Sequence, residues 1–389
     1  MFRLFILHLI SLLFLSCRSG GSVELLTGAE QPDKYMPLLE NRSVGLVVNH
    51  TSRCGTMHLV DFLLEKDVKV SKIFAPEHGF RGDAAPGETV DDSIDKKTGI
   101  PVISLYGNNQ KPGPGQLTGI DIMIFDIQDV GCRFYTYIST MHLVMEACAD
   151  YGIPLIVLDR PNPNGDYVAG PLLEAGFESF VGMHPIPVVH GCTVGELAMM
   201  INGEKWLNSS KQCELTVITV ENYTHNTPYS LPVKPSPNLP NDLAVRLYPS
   251  LCFFEATSVS VGRGTQFPFQ VLGAPVPDMG DFRFTPVSIP GTAVNPLHEG
   301  VECYGIDLRT LTEIPKFTLE FFISFYNSFE NEKDFLTREK WFNLLAGNSK
   351  LISQIRAGYS EKEIRESWNP DIIKYMNIRK KYLLYPDFK

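Results

Sequence analysis

The chain predicts an α/β fold: a Rossmann-like, doubly wound parallel sheet with a second, smaller α/β domain. Two observations predict it. Apolar runs of about five residues alternate with helix-spaced apolar patterns through the first half, as strands do when both faces are buried between helical crossovers. Each of those runs then ends in a polar cluster, as strands do where a parallel sheet opens onto a ligand crevice. A length of 389 residues leaves room for two domains.

The elements follow in chain order. Met1-Phe2-Arg3 supplies a positive charge, residues 4–15 are a short apolar run, and Ser16-Cys17 places a small residue before a cysteine. That run falls short of the roughly 20 residues of a membrane span and reads as a signal peptide over residues 1–17. Its end resembles a lipobox, so Cys17 is expected to be the lipidated first residue of an exported bacterial lipoprotein, periplasmic or on the cell surface. The lipid anchor is then the sole membrane contact. Residues 18–22 form a polar tether.

Residues 23–234 read as the Rossmann-like catalytic domain. Strands are expected over 44–48, 70–75, 102–105, 120–127, 155–158 and 215–220. Helices are expected after the first strand, where Leu59, Val60, Phe62, Leu63 and Leu64 recur at helical spacing, and over 141–151. Thr193 is a good N-cap for a helix carrying Glu196. Residues 234–240, Lys-Pro-Ser-Pro-Asn-Leu-Pro, are too proline-rich for regular structure and are expected to join the domains. The C-terminal α/β domain, 241–389, shows strand patterns over 251–261 and 303–308 and helix patterns over 318–327, 338–345 and 361–368.

Composition removes several classes of function. Hydrophobic residues at 44% and charged residues at 20% are ordinary for a globular protein. A formal net charge of -10 repels phosphate backbones and argues against a nucleic-acid partner. The cysteines beyond Cys17 are odd in number and form no Cys-x-x-Cys, so a dense disulfide framework is not expected. With no His-Glu-x-x-His either, no metal is expected. No Gly-x-Gly-x-x-Gly follows the first strand, so the pyrophosphate cradle of a dinucleotide site is not expected. Oligomeric state is not encoded in any pattern.

The strand ends carry the candidate chemistry. The first strand runs into Asn49-His50-Thr51, the second into Pro76-Glu77-His78-Gly79 and the third into Tyr106-Gly107. The fourth ends at Asp126-Ile127-Gln128-Asp129, followed by Arg133-Phe134-Tyr135-Thr136-Tyr137, and the fifth at Asp159-Arg160-Pro161-Asn162. If the strands are parallel, these clusters converge on one crevice. Carboxylates and amides suit sugar hydroxyls, aromatic rings pack on sugar faces, and arginine pairs with a substrate carboxylate. Glycoside cleavage usually needs two carboxyl groups. Glu77, at a strand end where the backbone is held, is the first candidate acid. For its partner, Glu196, Glu88, Asp126 and Glu255 compete. His78 and His190 are candidates to orient substrate or share protons. Asn238 could reach the cleft from the proline-rich segment. Tyr135 and Tyr137 alternate along a stretch read as extended, which would turn one of them into the core.

These same clusters carry a family resemblance. The segments Pro76 to Gly82, Asp126 to Gly131 with Arg133 to Tyr137, Asp159 to Pro163, His190 to Leu197, Pro235 to Pro240, and Glu255 with Ser260 to Thr265 together resemble the exo-β-N-acetylmuramidases of glycoside hydrolase family 171, the NamZ-like proteins. Arg379 to Tyr385 also fits, so the resemblance covers nearly the whole chain beyond the signal segment. It implies an active site between a Rossmann-like domain and a smaller one. It implies cofactor-free hydrolysis of non-reducing terminal β-1,4-linked N-acetylmuramic acid (MurNAc) from peptidoglycan fragments, with Glu77 central. Glu196 and His78 complete the expected catalytic set. Asn49, Asp126, Arg133, Tyr135, Tyr137, Asp159, Arg160, Asn162, His190, Asn238, Glu255 and Arg263 are the expected substrate contacts. Arg133, Arg160 or Arg263 would read the lactyl carboxylate that distinguishes MurNAc from N-acetylglucosamine. The alternative is a lipoprotein that binds peptidoglycan fragments without cutting them. An esterase or amidase finds little support, because no Gly-x-Ser-x-Gly elbow is present.

Overall fold

The computed structural model describes residues 24–77, 79–80 and 92–388. Its centre is a seven-stranded sheet: β1 (Val44–Val48), β2 (Val70–Ala75), β3 (Ser93–Ile94), β4 (Pro101–Ser104), β5 (Ile122–Asp126), β6 (Leu155–Leu158) and β7 (Leu215–Ile218). The spatial order is β7-β6-β5-β1-β2-β4-β3. All neighbours pair in parallel except the edge strand β3, which runs antiparallel to β4. The chain leaves β1 for β2 on one side and returns to β5 on the other, so the order reverses at β1, the doubly wound arrangement.

Alternation along β1 explains the continuous apolar run. Val47 joins Phe74 and Phe125 in the core on one face, while Leu46 and Val48 join Ile73 and Ile124 on the other. The first of these cores continues without a break into the second half, through Phe253, Phe254, Phe322 and Phe342. That half has a three-stranded antiparallel sheet, Val271–Ala274, Cys303–Asp307 and Phe282–Phe284 in that order, and a set of helices ending in Glu361–Arg379. The chain end then returns to the first half. Tyr385 donates its hydroxyl to Asp159 Oδ2 at 2.5 Å, and Arg379 grips the Gly191 carbonyl at 2.6 and 3.0 Å.

Three local expectations are corrected. Residues 251–261 are not a strand. The helix Asp242–Leu251 and the 3-10 turn Cys252–Ala256 occupy the start of that stretch. Ala244, Leu247, Tyr248 and Leu251 form a helical stripe, and Asn241 caps it by accepting from the Ala244 N–H at 3.0 Å. The last helix does not stop at Trp368 but runs on to Arg379 with Pro370 inside it. The segment holding Tyr135 and Tyr137 is a turn that opens the helix Tyr137–Tyr151, not an extended strand, and both tyrosines are buried. Among the described residues, no helix is long and apolar enough to cross a membrane. Residues 1–17, with the expected signal segment and Cys17, lie outside the described residues.

Candidate active site

Glu77 follows β2 by two residues and is half-buried in the wall of a cavity of about 460 Å³. Thr136 donates its hydroxyl to Glu77 Oε2 at 3.1 Å. The Tyr106 phenol is pushed well above its usual range by burial, by the Glu77 charge and by a hydrogen bond to that carboxylate. Burial and then the Glu77 charge push Tyr137 in the same direction. Glu77 therefore sits among hydroxyl groups that stay protonated and can donate to it or to a bound substrate.

A short run of backbone delivers this cluster. Asp129 Oδ2 accepts the Gly131 N–H at 2.6 Å, closing a turn after β5. Gly131 has φ +76, and a Cβ there would meet Asn162 Oδ1 at 2.1 Å, so only glycine fits. Arg133 then turns inward and donates to the carbonyls of Pro171, Ile186 and Leu345 at 2.7–2.9 Å. This ties the turn to both halves and leaves Tyr135, Thr136 and Tyr137 on the cavity wall. The two rings meet edge to face at 4.8 Å, and Tyr135 donates to the Pro235 carbonyl at 2.8 Å.

The second half closes the cavity with Tyr248, Glu255, Arg263, Phe269 and Trp341. Glu255 leaves the 3-10 turn Cys252–Ala256 and pairs with Arg263 Nη2 at 2.5 Å, and Arg263 lies over the Phe269 ring at 5.2 Å. Asn238 donates Nδ2 to the Thr292 carbonyl at 2.8 Å. That contact fixes the amide orientation and leaves Oδ1 without a partner among the described residues.

Six of the sequence candidates thus share one cavity: Glu77, Tyr135, Tyr137, Asn238, Glu255 and Arg263. The expected convergence of every strand end does not occur. The crevice where the strand order reverses is filled by the protein's own polar groups. Asn49 Oδ1 accepts from the N–H and hydroxyl of Thr51 at 2.9 and 2.6 Å. Asp126 and Arg160 form a buried two-contact ion pair at 2.6 and 2.9 Å. Burial pushes the Asp126 carboxyl up and the Arg160 charge draws it back. Asp159 accepts from Thr193, the Gly195 N–H and Tyr385, and burial pushes it up to about 6. Asn162 donates to the Cys192 carbonyl at 2.8 Å, and His190 Nδ1 accepts the Cys192 N–H at 3.2 Å.

Glu196 is likewise corrected. It is fully buried, with Oε2 on the Thr193 N–H of its own capping box and Oε1 on the Leu384 N–H and His225. A fully buried carboxylate that already accepts from three internal donors is not presented to a sugar. Arg133 and Arg160 are buried as well, with Arg133 donating to three carbonyls and Arg160 to Asp126 and the Arg53 carbonyl. None of Asn49, Asp126, Arg133, Asp159, Arg160, Asn162, His190 or Glu196 lines the cavity. His78 and Glu88 lie outside the described residues. Residues singled out by no sequence pattern join the site, among them Phe180, Tyr248, Phe269 and Trp341. Tyr106 had a signal, as the end of the third predicted strand. Among the described residues, no cluster of His, Cys, Asp or Glu could hold a metal ion.

A cavity that sets two glutamates among aromatic rings and one arginine has the equipment of a glycoside hydrolase on an α/β frame. Comparison with known proteins agrees. The family model for the exo-beta-N-acetylmuramidase NamZ N-terminal domain matches residues 44–243, and the model for its C-terminal domain matches residues 246–385. The chain belongs to the NamZ exo-beta-N-acetylmuramidase family. It is 39% identical over 375 residues, 91% of this chain and 89% of the relative, to the peptidoglycan beta-N-acetylmuramidase NamZ of Bacillus subtilis strain 168. Two crystal structures of DUF1343 family proteins from Bacteroides fragilis NCTC 9343 share the fold. One is 46% identical with a TM-score of 0.87, covering 94% of this chain and all (100%) of that one. The other is 28% identical with a TM-score of 0.80, covering 93% and 99%.

Proposed function

We infer that this protein is an exo-acting glycoside hydrolase that removes non-reducing terminal β-1,4-linked MurNAc from peptidoglycan fragments in cell-wall turnover or recycling. The observation that carries the reading is the half-buried Glu77 carboxylate, held by Thr136 and Tyr106 in an aromatic cavity of a chain that matches the NamZ family in both halves. Glu77 acts on the glycosidic bond. Glu255, oriented by Arg263, is the candidate second carboxyl, in place of the buried Glu196. Incubation with a MurNAc-terminated oligosaccharide tests this. Free MurNAc is the expected first product, with the shortened chain beginning in N-acetylglucosamine. Internal fragments, or no free MurNAc, contradict it.

Arg263 is the arginine among the described residues that line the cavity, and the lactyl carboxylate is the feature that separates MurNAc from N-acetylglucosamine. Arg263→Ala is expected to lower the kcat/KM preference for the MurNAc glycoside by about 1.5–3 kcal/mol, roughly 10- to 150-fold. An unchanged preference in the folded variant assigns the lactyl contact elsewhere.

The site also acts outside the cytoplasm on this reading. The charged start, apolar run and Ser16-Cys17 pair support export and lipidation at Cys17. Expression with a labelled fatty acid is expected to mark the wild type and not Cys17→Ala, which partitions into the aqueous fraction. Label on the variant contradicts the assignment.

A further inference from the structure

Asn238 is 2% exposed and lines the Glu77 cavity, yet its Oδ1 has no partner among the described residues. The sequence holds the residue in place. Ser236-Pro237-Asn238-Leu239 is a tight turn with proline at its second position, closed by the Leu239 N–H on the Ser236 carbonyl at 3.1 Å. The side chain is fixed as well. Its Nδ2 donates to the Thr292 carbonyl at 2.8 Å, and the reverse orientation would set two oxygens against each other. Oδ1 is therefore the atom left over: a neutral, buried acceptor that cannot donate, held rigidly before any ligand arrives.

Its position narrows the group that fits. On one side the turn meets the Glu77 wall: the Pro235 carbonyl accepts from Tyr135 at 2.8 Å and from Tyr137 at 3.5 Å, and Thr136 between them donates to Glu77. On the other side Thr292, which holds the Asn238 amide, lines a neighbouring space together with Glu255 and Arg263. Asn238 thus stands between the Glu77 wall and the Arg263 wall. MurNAc has the same order of groups. C1 carries the bond to be cut, C3 carries the lactyl ether, and C2 between them carries the acetamido group. Aromatic rings continue from the turn, Tyr135 meeting Tyr248 at 6.0 Å and Tyr248 meeting Phe269 at 5.1 Å, all three on the cavity wall. An N–H that bears an acetyl methyl suits an acceptor beside such rings, whereas a hydroxyl would use the acceptor alone.

We propose that Asn238 reads the C2 substituent of the terminal sugar, its Oδ1 accepting the acetamido N–H. The proposal rests on the MurNAc reading of the cavity and divides the recognition of that sugar between two residues. Arg263 reads the group on C3, and Asn238 with its neighbouring rings reads the group on C2. Holding C2 also sets C1 in register with Glu77.

Calorimetric binding tests it with the full-length protein and methyl 1-thio-β-glycosides, which resist hydrolysis. The ligands are the MurNAc glycoside, its 2-O-acetyl isostere, in which an oxygen replaces the N–H, and its 4-deoxy and 6-deoxy forms. The isostere keeps the methyl and the carbonyl but turns a lone pair towards Oδ1. The wild type is expected to bind it about tenfold more weakly than the MurNAc glycoside, or worse. Asn238→Leu, similar in volume, is expected to weaken the MurNAc glycoside by about the same factor and to bind the two ligands within about threefold of each other. The wild-type comparison decides the matter even if that variant does not fold. Equal binding of the two ligands by the wild type overturns the proposal. So does a discrimination that survives in folded Asn238→Leu, which gives the N–H to another acceptor. A loss on the 4-deoxy or 6-deoxy ligand that Asn238→Leu abolishes overturns it too, by giving Oδ1 to a hydroxyl. The readout is binding, so a protein that discriminates against the isostere yet hydrolyses no MurNAc glycoside contradicts the proposed activity alone. Hydrolysis by a protein that binds both ligands alike contradicts the Asn238 assignment alone.

Discussion

Glu77→Gln is expected to leave a folded protein that releases almost no MurNAc, with kcat lowered by about 10²–10⁴-fold, the usual worth of a positioned acid or base. An amide neither gives up a proton to the leaving oxygen nor takes one from water. The substitution is nearly isosteric, and its carbonyl can still accept from Thr136, which now donates at 3.1 Å. Glu77 is half-buried and not in the core, so the thermal midpoint should stay close to that of the wild type. The check is turnover of a MurNAc glycoside together with circular dichroism and melting of the same preparation. A folded variant with wild-type turnover removes Glu77 from the mechanism, and an unfolded one transfers it to the scaffold.

Arg160→Met tests the opposite assignment. The sequence offered Arg160 as a carboxylate-binding residue; the structure buries it against Asp126 at 2.6 Å, with neither group on the cavity wall. Removing the arginine leaves Asp126 buried with no countercharge, which costs about 3–5 kcal/mol. Urea unfolding should report that loss, while the preference for MurNAc over N-acetylglucosamine persists in the protein that remains folded. The double variant Asp126→Leu/Arg160→Met should recover most of the stability, because an apolar pair pays no desolvation penalty. A stable single variant that has lost MurNAc preference would return Arg160 to the site.

That contrast marks how far the chain can be read unaided. The strands were legible because a sheet covered on both faces leaves unbroken apolar runs, and Val44–Val48, Val70–Ala75 and Leu155–Leu158 stand where the pattern put them. Residues 251–261 misled because Phe253, Phe254 and the β-branched residues after them look strand-like, whereas the helical stripe that governs the segment starts earlier, at Ala244. Polar strand ends were legible as a set, but composition does not say which groups consume one another. Asp126 faces Arg160, Asp159 faces Thr193 and Tyr385, and Glu196 closes a capping box with Thr193. The Thr-x-x-Glu spacing of that box was itself a readable sign of a helix terminus. Trp341 and Phe180 reach the cavity from segments distant in sequence, and a lone aromatic carries no pattern that reports its partner.

The account stands most directly on one comparison, chromophore release from a β-MurNAc glycoside beside the β-GlcNAc glycoside, with the purified full-length protein. Turnover of the MurNAc glycoside with little or none of its partner is the predicted result. Turnover of neither by a folded protein, or equal turnover of both, would contradict it.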